Sequence, residues 1–176
     1  MKTIILPGYS PHNRGWAIDL KKDMDLGHEI LVHEWKHWPP AHRASGPVGA
    51  SFSLPREAKA ILEKIGKDKM NIIAKSVGTR IAMQLLVKIP EQINKVVLCG
   101  IPTKGEGETA KKNYAPLAGF SPTGILVFQN TKDPFAKYKD IKKFIGSINP
   151  KIKIIEKPRS DHHYPYPEDF QKFLQK

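Results

Sequence analysis

Three polar positions in the chain have the types and the order that nucleophilic acyl chemistry needs. They are Ser76, Asp133 and the histidine doublet His162–His163. A serine hydroxyl is a poor nucleophile until an imidazole takes its proton, and that imidazole needs a carboxylate to fix its tautomer. Ser76 stands in "IIAKSVGTR", between an apolar run and a helical pattern. Ala74 and Gly78, two places to either side, are small, as a sharp strand-to-helix turn requires if the backbones are to pass closely. Such a turn lifts the hydroxyl above a sheet. It also leaves the Val77 N–H at a helix N-terminus, where a backbone donor stabilises an oxyanion. A serine at a helix start is equally an ordinary N-cap, so the turn alone does not assign a role. Asp133 follows the run "GILVFQ", where an Asp before Pro134 is also a common turn residue. The histidines follow "KIKIIE". Asp161 is a rival acid, but a carboxylate seldom points at the ring next to it in sequence. His162 is preferred to His163 as the base, which leaves the other as a surface or supporting histidine.

These residues are useful only if elements bring them to one place. Short β-branched, apolar runs recur at 3–6, 29–34, 70–74, 95–100, 124–129 and 151–156. Each is nearly continuous in apolar residues, as expected of strands buried on both faces of a parallel sheet. Helical patterns lie between them. Trp16, Leu20 and Met24 share one face of the first. The second spans 54–65, with Ser53 as N-cap and Pro55 in its first turn. A third spans 77–88, and two more cover 138–145 and 168–174. Strand–helix alternation over the whole length predicts one doubly wound α/β domain, residues 1–176. In such a sheet ligands bind at the carboxyl ends of the strands. Ser76, Asp133 and the histidines each follow a strand. After the first strand comes "PGYS", where the Tyr9 or Ser10 N–H offers a second oxyanion donor.

Two connections break the alternation. Residues 103–123 are polar, with room for at most a short helix. Residues 35–53 are rich in Pro, Gly and Ser and carry Trp35 and Trp38. These tryptophans are candidates for a pocket wall, with packing under the long loop as the equal alternative. Ser10 and Tyr164 are further pocket candidates. "HEWKH", His33 to His37, also matches the H-E-x-x-H pattern of zinc peptidases. That pattern binds metal only on a helix, where both imidazoles reach one ion. Here it closes a predicted strand, and Trp38-Pro39-Pro40 stops any helix from continuing. The sequence therefore predicts no metal and no cofactor. Cys99 ends a buried strand and reads as a small core residue, and Lys75 beside the serine reads as a solvated lysine.

Composition narrows the function class. The apolar fraction of 40% is ordinary for a globular chain, and no apolar run approaches a bilayer span. A single cysteine excludes an internal disulfide and, with no signal-peptide core, points to the cytoplasm. The net charge of +12 is spread along the chain without a nucleic-acid-binding motif. It reads as a solvated surface. No nucleic-acid or membrane partner is expected, and the oligomeric state is left open.

With these residues in view, the chain resembles a compact α/β-hydrolase over nearly its full length. "ILPGYS" resembles that family's oxyanion loop, "AKSVGT" its nucleophile elbow, "QNTKDPF" its acid loop and "SDHHYP" its histidine loop. The resemblance implies a mostly parallel six-stranded sheet of order 2-1-3-4-5-6, without the family's first two antiparallel strands and without a cap domain. It implies Ser76 as nucleophile, Asp133 as acid and His162 as base, with Tyr9 and Val77 as oxyanion donors. The chain departs from the family pattern in having Ala74 and Asn130 where Gly is common, and Pro7 where His is common. The expected function is a carboxylesterase acting on small or short-acyl esters. Thioester or amide cleavage uses the same groups, and a non-catalytic module using the basic surface is the rival from another class.

Overall fold

The computed structural model describes residues 1–39 and 51–176. Among these, six strands alternate with six α-helices. They are β1 Lys2–Leu6, α1 Asn13–Asp23, β2 Glu29–Val32, α2 Leu54–Ile65, β3 Met70–Lys75 and α3 Val77–Lys88, followed by β4 Ile93–Cys99, α4 Gly107–Tyr114, β5 Ile125–Asn130, α5 Tyr138–Ile148, β6 Lys153–Lys157 and α6 Pro167–Leu174. Every neighbouring pair is parallel, in the order β2-β1-β3-β4-β5-β6, as the resemblance implied. Among the described residues no helical insertion large enough to form a cap domain interrupts the alternation.

The unbroken apolar runs are explained by what covers the two faces. Successive strand side chains point to opposite sides of a sheet. Ile4, Leu6, Ile72, Ala74, Val96, Leu98, Ile125 and Val127 meet Ile61, Ile81, Leu85, Ile141 and Ile145 from α2, α3 and α5. The intervening Ile5, Ile73, Val97, Cys99, Leu126 and Phe128 meet Trp16, Leu20, Phe170 and Leu174 from α1 and α6. Both faces of the central strands are covered, and the polar groups that could do chemistry stand beyond their carboxyl ends. No helix among the described residues is long and apolar enough to cross a membrane.

The differences from the sequence expectations have local causes. β2 stops at Val32, two residues early: the His33 N–H still donates to the Ile5 carbonyl, and the His33 and Glu34 side chains turn to Glu57 and Arg14. β6 starts at Lys153, since Ile152 closes the turn after Asn149. Ser53 occupies the N-cap position of α2 and Pro55 its first turn, but the serine hydroxyl makes no capping bond. The connection 103–123 contains the eight-residue α4, anchored by buried Ala110 and Tyr114. Its polar sequence shows only those two inward positions, too few to announce a helix by periodicity.

Candidate active site

β3 is buried along its length and α3 begins at Val77, so the whole reversal of direction falls on Ser76. Its backbone has φ 54° and ψ −122°, and among the described residues it is the only non-glycine with positive φ. A side-chain-bearing residue held there costs on the order of 1–3 kcal/mol and persists only where its surroundings over-determine it. Here they do. The Ser76 N–H donates to the Cys99 carbonyl (2.9 Å), and the Ser76 carbonyl accepts from the Thr79 N–H (2.9 Å) and hydroxyl (2.6 Å). A Cβ on Gly78 would lie 2.2 Å from the Leu6 carbonyl oxygen, so only glycine lets α3 press against the end of β1. The loop after β1 and the start of α3 are thereby brought together.

Asp133 lies beyond β5, buried, with both carboxylate oxygens engaged. Oδ1 accepts from the Phe135 N–H (2.8 Å); Oδ2 accepts from His162 Nδ1 and from the Tyr164 hydroxyl, both at 2.6 Å. Burial pushes the carboxyl's pKa up, but the bonds from His162 and Tyr164 outweigh it and hold it below the ordinary value. His162, not His163, meets Asp133. Asp161, the rival acid, is instead paired with Arg159 and caps the His163 N–H (3.0 Å). With Nδ1–H committed to Asp133, His162 Nε2 is the acceptor nitrogen, and it lies buried with no hydrogen-bond partner. The ring packs against Phe135 at a tilt of 56°, centroids 4.6 Å apart.

Gly100 connects the two halves. It follows Cys99, which holds the Ser76 N–H, and at φ 59° it needs a glycine backbone. A Cβ there would fall 2.6 Å from His162 Cε1 and 2.7 Å from Tyr164 Cε2. The imidazole therefore lies over the strand end next to Ser76. The acid and the base are joined by direct contact. Among the described residues no hydrogen bond yet joins the Ser76 hydroxyl to Nε2, a bond that often tightens only when substrate is present.

The loop after β1 is fixed by residues expected elsewhere. Trp35 Nε1 donates to the Gly8 carbonyl (3.0 Å), and Trp38 Nε1 (2.7 Å) and His37 Nε2 (2.9 Å) both bind the Tyr9 carbonyl. In a trans peptide the N–H points opposite to the C=O. Pinning the Gly8 and Tyr9 carbonyls on one side therefore turns the Tyr9 and Ser10 N–H groups to the other. Trp35 and Trp38, named as pocket or packing candidates, are buried, with their indole N–H groups turned to the loop after β1. "HEWKH" is not helical: His33 bonds Glu57 Oε2 (2.8 Å), while His37 goes to Tyr9. The remainder of the long connection, 40–50, lies outside the described residues. Ser10 shares a hydrogen bond with the His12 ring (2.9 Å) at the loop's edge. Tyr164, expected in the pocket, is fully buried behind Asp133 and touches no open space.

Lys75 overturns its sequence reading most clearly. It is 5% exposed, with Nζ 2.6 Å from Asn13 Oδ1 and 5.2 Å from the Trp16 ring centre. Burial pushes its pKa down to about 8. A strand-end lysine gave no sign of this, because its burial depends on α1 lying alongside. Asn130 was visible only as a departure from the family pattern. Its amide donates to the Asp161 (2.8 Å) and His163 (2.9 Å) carbonyls, holding the histidine loop, and Trp16 Nε1 holds the Tyr164 carbonyl (2.9 Å). Beside this cluster a cavity of about 620 Å³ opens between the loops after β4 and β5. Thr103, Lys104, Lys132, Phe135 and Lys137 are among its lining residues.

Comparison with known proteins gives the same placement. Residues 47–172 match the family model described as an alpha/beta hydrolase domain. A 2-hydroxy-6-oxononadienedioate/2-hydroxy-6-oxononatrienedioate hydrolase of Pseudomonas putida is 25% identical over 105 residues, covering 58% of this chain and 37% of that enzyme. The chain thus spans little more than a third of the length of the curated relatives it matches. An alpha-beta serine hydrolase homologue from Coxiella burnetii superposes with TM-score 0.70 at 16% identity, covering 99% of this chain and 83% of the other. A serine hydrolase without lid from Xanthomonas campestris gives 0.63 at 14% identity, covering 99% and 78%. At these identities the solved structures speak for the fold alone.

Proposed function

The chain belongs to the alpha/beta hydrolase family, and from that premise we propose that it is a serine hydrolase cleaving small or short-acyl carboxylic esters. The observation that carries the reading is the backbone of Ser76, held at φ 54° beside the buried Asp133 and its partner His162. Strain of that kind is kept where chemistry needs it. In the proposed mechanism Ser76 Oγ attacks the ester carbonyl while His162 Nε2 takes its proton. Asp133 keeps the Nδ1–H in place and offsets the imidazolium charge. The carbonyl oxygen, now an oxyanion, is met by the Val77 and Tyr9 N–H groups. Collapse of the tetrahedral intermediate expels the alcohol, which receives the proton from Nε2. Water then attacks the acyl-enzyme through the same base and releases the acid.

A specific observation favours a substrate that carries a negative charge. Three lysines, Lys104, Lys132 and Lys137, line the cavity next to Phe135; of its two lining carboxylates Asp133 is held by His162 and Tyr164, which leaves Asp140. Among the described residues none of the three lysines makes an ion pair. The Pseudomonas putida relative is named for a dioate, a substrate with two carboxylates. An acid-bearing acyl chain extending past Phe135 would find compensating charge there.

The test is active-site labelling. A fluorophosphonate probe should modify the wild-type chain at Ser76 and leave Ser76→Ala unmodified, and a series of p-nitrophenyl esters should turn over fastest at short acyl length. Equal labelling of both proteins would refute the nucleophile, and labelling without turnover of any ester, thioester or amide would refute the hydrolase.

A further inference from the structure

The buried Lys75 plays no part in the mechanism above, although it sits one residue before the nucleophile. An ammonium group carries three donors and no acceptor, so it can face only the oxygen end of the Asn13 amide. That contact, at 2.6 Å, leaves Asn13 Nδ2 to donate to the Ser10 carbonyl at 3.0 Å. The amide also lies flat against Gly8. A Cβ built on Gly8 would be 2.7 Å from Asn13 Oδ1 and 2.8 Å from both Cγ and Nδ2. Asn13 therefore occupies the space a side chain on Gly8 would need and grips the loop again at Ser10. Tyr9 lies between those two points, its flanking carbonyls tied back by Trp35, His37 and Trp38. The tryptophans hold the loop from the β2 side; from the α1 side the Asn13 N–H (2.9 Å) and the His12 ring (2.9 Å) anchor Ser10, and the Asn13 amide alone reaches back to Gly8.

We propose that Lys75 is a positioning residue for the oxyanion hole: its ammonium orients the Asn13 amide, and Asn13 holds the Gly8–Ser10 backbone so that the Tyr9 N–H meets the developing oxyanion. The proposal rests on the serine-hydrolase reading, and it adds to the chemistry a residue that never touches substrate. A loop donor that matters chiefly in the transition state should affect kcat and leave KM nearly alone. Displacing such a group by a fraction of an ångström to one ångström costs on the order of tenfold to a hundredfold in rate.

The experiment measures p-nitrophenyl acetate hydrolysis by wild type, Lys75→Met, Asn13→Ala and the double variant. Rates are expressed per active site titrated with a fluorophosphonate, so that misfolded protein is not counted. Each single variant should lose about tenfold or more in kcat with KM within about twofold. The double variant should lose no more than the worse single one, because the two residues act as one chain of contacts. A purely structural role would lower the number of titratable sites and leave kcat per site unchanged, and that result overturns the proposal. So would losses that multiply in the double variant. If the wild type neither labels nor turns over, the hydrolase reading falls and takes this one with it; wild-type activity with unaffected variants removes only the role of Lys75.

Discussion

Replacing Lys75 by methionine should make the protein more stable while making it a worse catalyst. The side chain is 5% exposed, and its amine loses its proton near pH 8 instead of the ordinary 10.5. A shift of about 2.5 units, at 1.36 kcal/mol per unit, means that keeping this amine charged in the folded state costs about 3 kcal/mol. Methionine has a similar length and places a thioether against the Trp16 ring. The loss of the charge-assisted Asn13 hydrogen bond returns about 2 kcal/mol of the gain, leaving about 1 kcal/mol net. For a chain of this size that is about 2–4 °C in Tm. The pH dependence identifies the cause. Below pH 8 the lysine is protonated in both states and the full cost is present. Between about 8 and 10.5 the unfolded chain binds the extra proton, so the wild type gains stability as pH rises and the variant does not. Thermal denaturation followed by circular dichroism at pH 6.5 and pH 10 should show that gap between the two proteins at the lower pH and its loss at the higher. A variant less stable than wild type at pH 6.5, or a gap that does not change with pH, would refute the reasoning.

Other perturbations have signs that follow from the same contacts. Tyr164→Phe removes one of the donors holding the Asp133 carboxylate, a charge-assisted bond of about 2 kcal/mol. Urea denaturation should show that loss at pH 7, and the difference from wild type should shrink as pH falls through the carboxyl range, because a depressed carboxyl pKa stabilises only above it. Gly78→Ala sets a methyl 2.2 Å from the Leu6 carbonyl oxygen, so the loop or the helix must move. It should cost about 2 kcal/mol in chemical denaturation and also reduce fluorophosphonate labelling. If the lysine-lined cavity receives an acidic acyl chain, the mono-p-nitrophenyl ester of succinate should have a lower KM than the acetate. That advantage should shrink at high salt and in Lys132→Met; equal KM values insensitive to salt would remove the acidic substrate.

The strands and the order of Ser76, Asp133 and His162 along the chain could be read in the sequence because each depends on local signals, whereas the strand order came from the family resemblance. Apolar runs buried on two faces mark the strands, and Ala74 and Gly78 mark the turn around Ser76. The supporting residues could not be read so, because their roles arise between elements far apart in the chain. Nothing near Lys75 tells that α1 will bring Asn13 and Trp16 against it. Tyr164 has the composition of a pocket residue, and only the position of Asp133, 31 residues earlier, turns it inward. "HEWKH" matched a metal motif letter for letter. Its histidines diverge to Glu57 and Tyr9 because the segment leaves a strand instead of winding into a helix.

Gly8, Gly78 and Gly100 have a consequence beyond local fit. Each leaves empty a volume that another group fills: the Asn13 amide, the end of β1 and the His162 ring. None of the three can react with a substrate, yet a single methyl at any of them would meet the machinery at 2.8 Å or closer. A saturation-mutagenesis survey selected for activity would therefore draw the site mainly as a negative image. Few reactive side chains would appear, encircled by positions where having any side chain at all is the defect. Homologues of unknown activity can be sorted on that image, since a lost glycine at these places disarms the fold as surely as a lost serine.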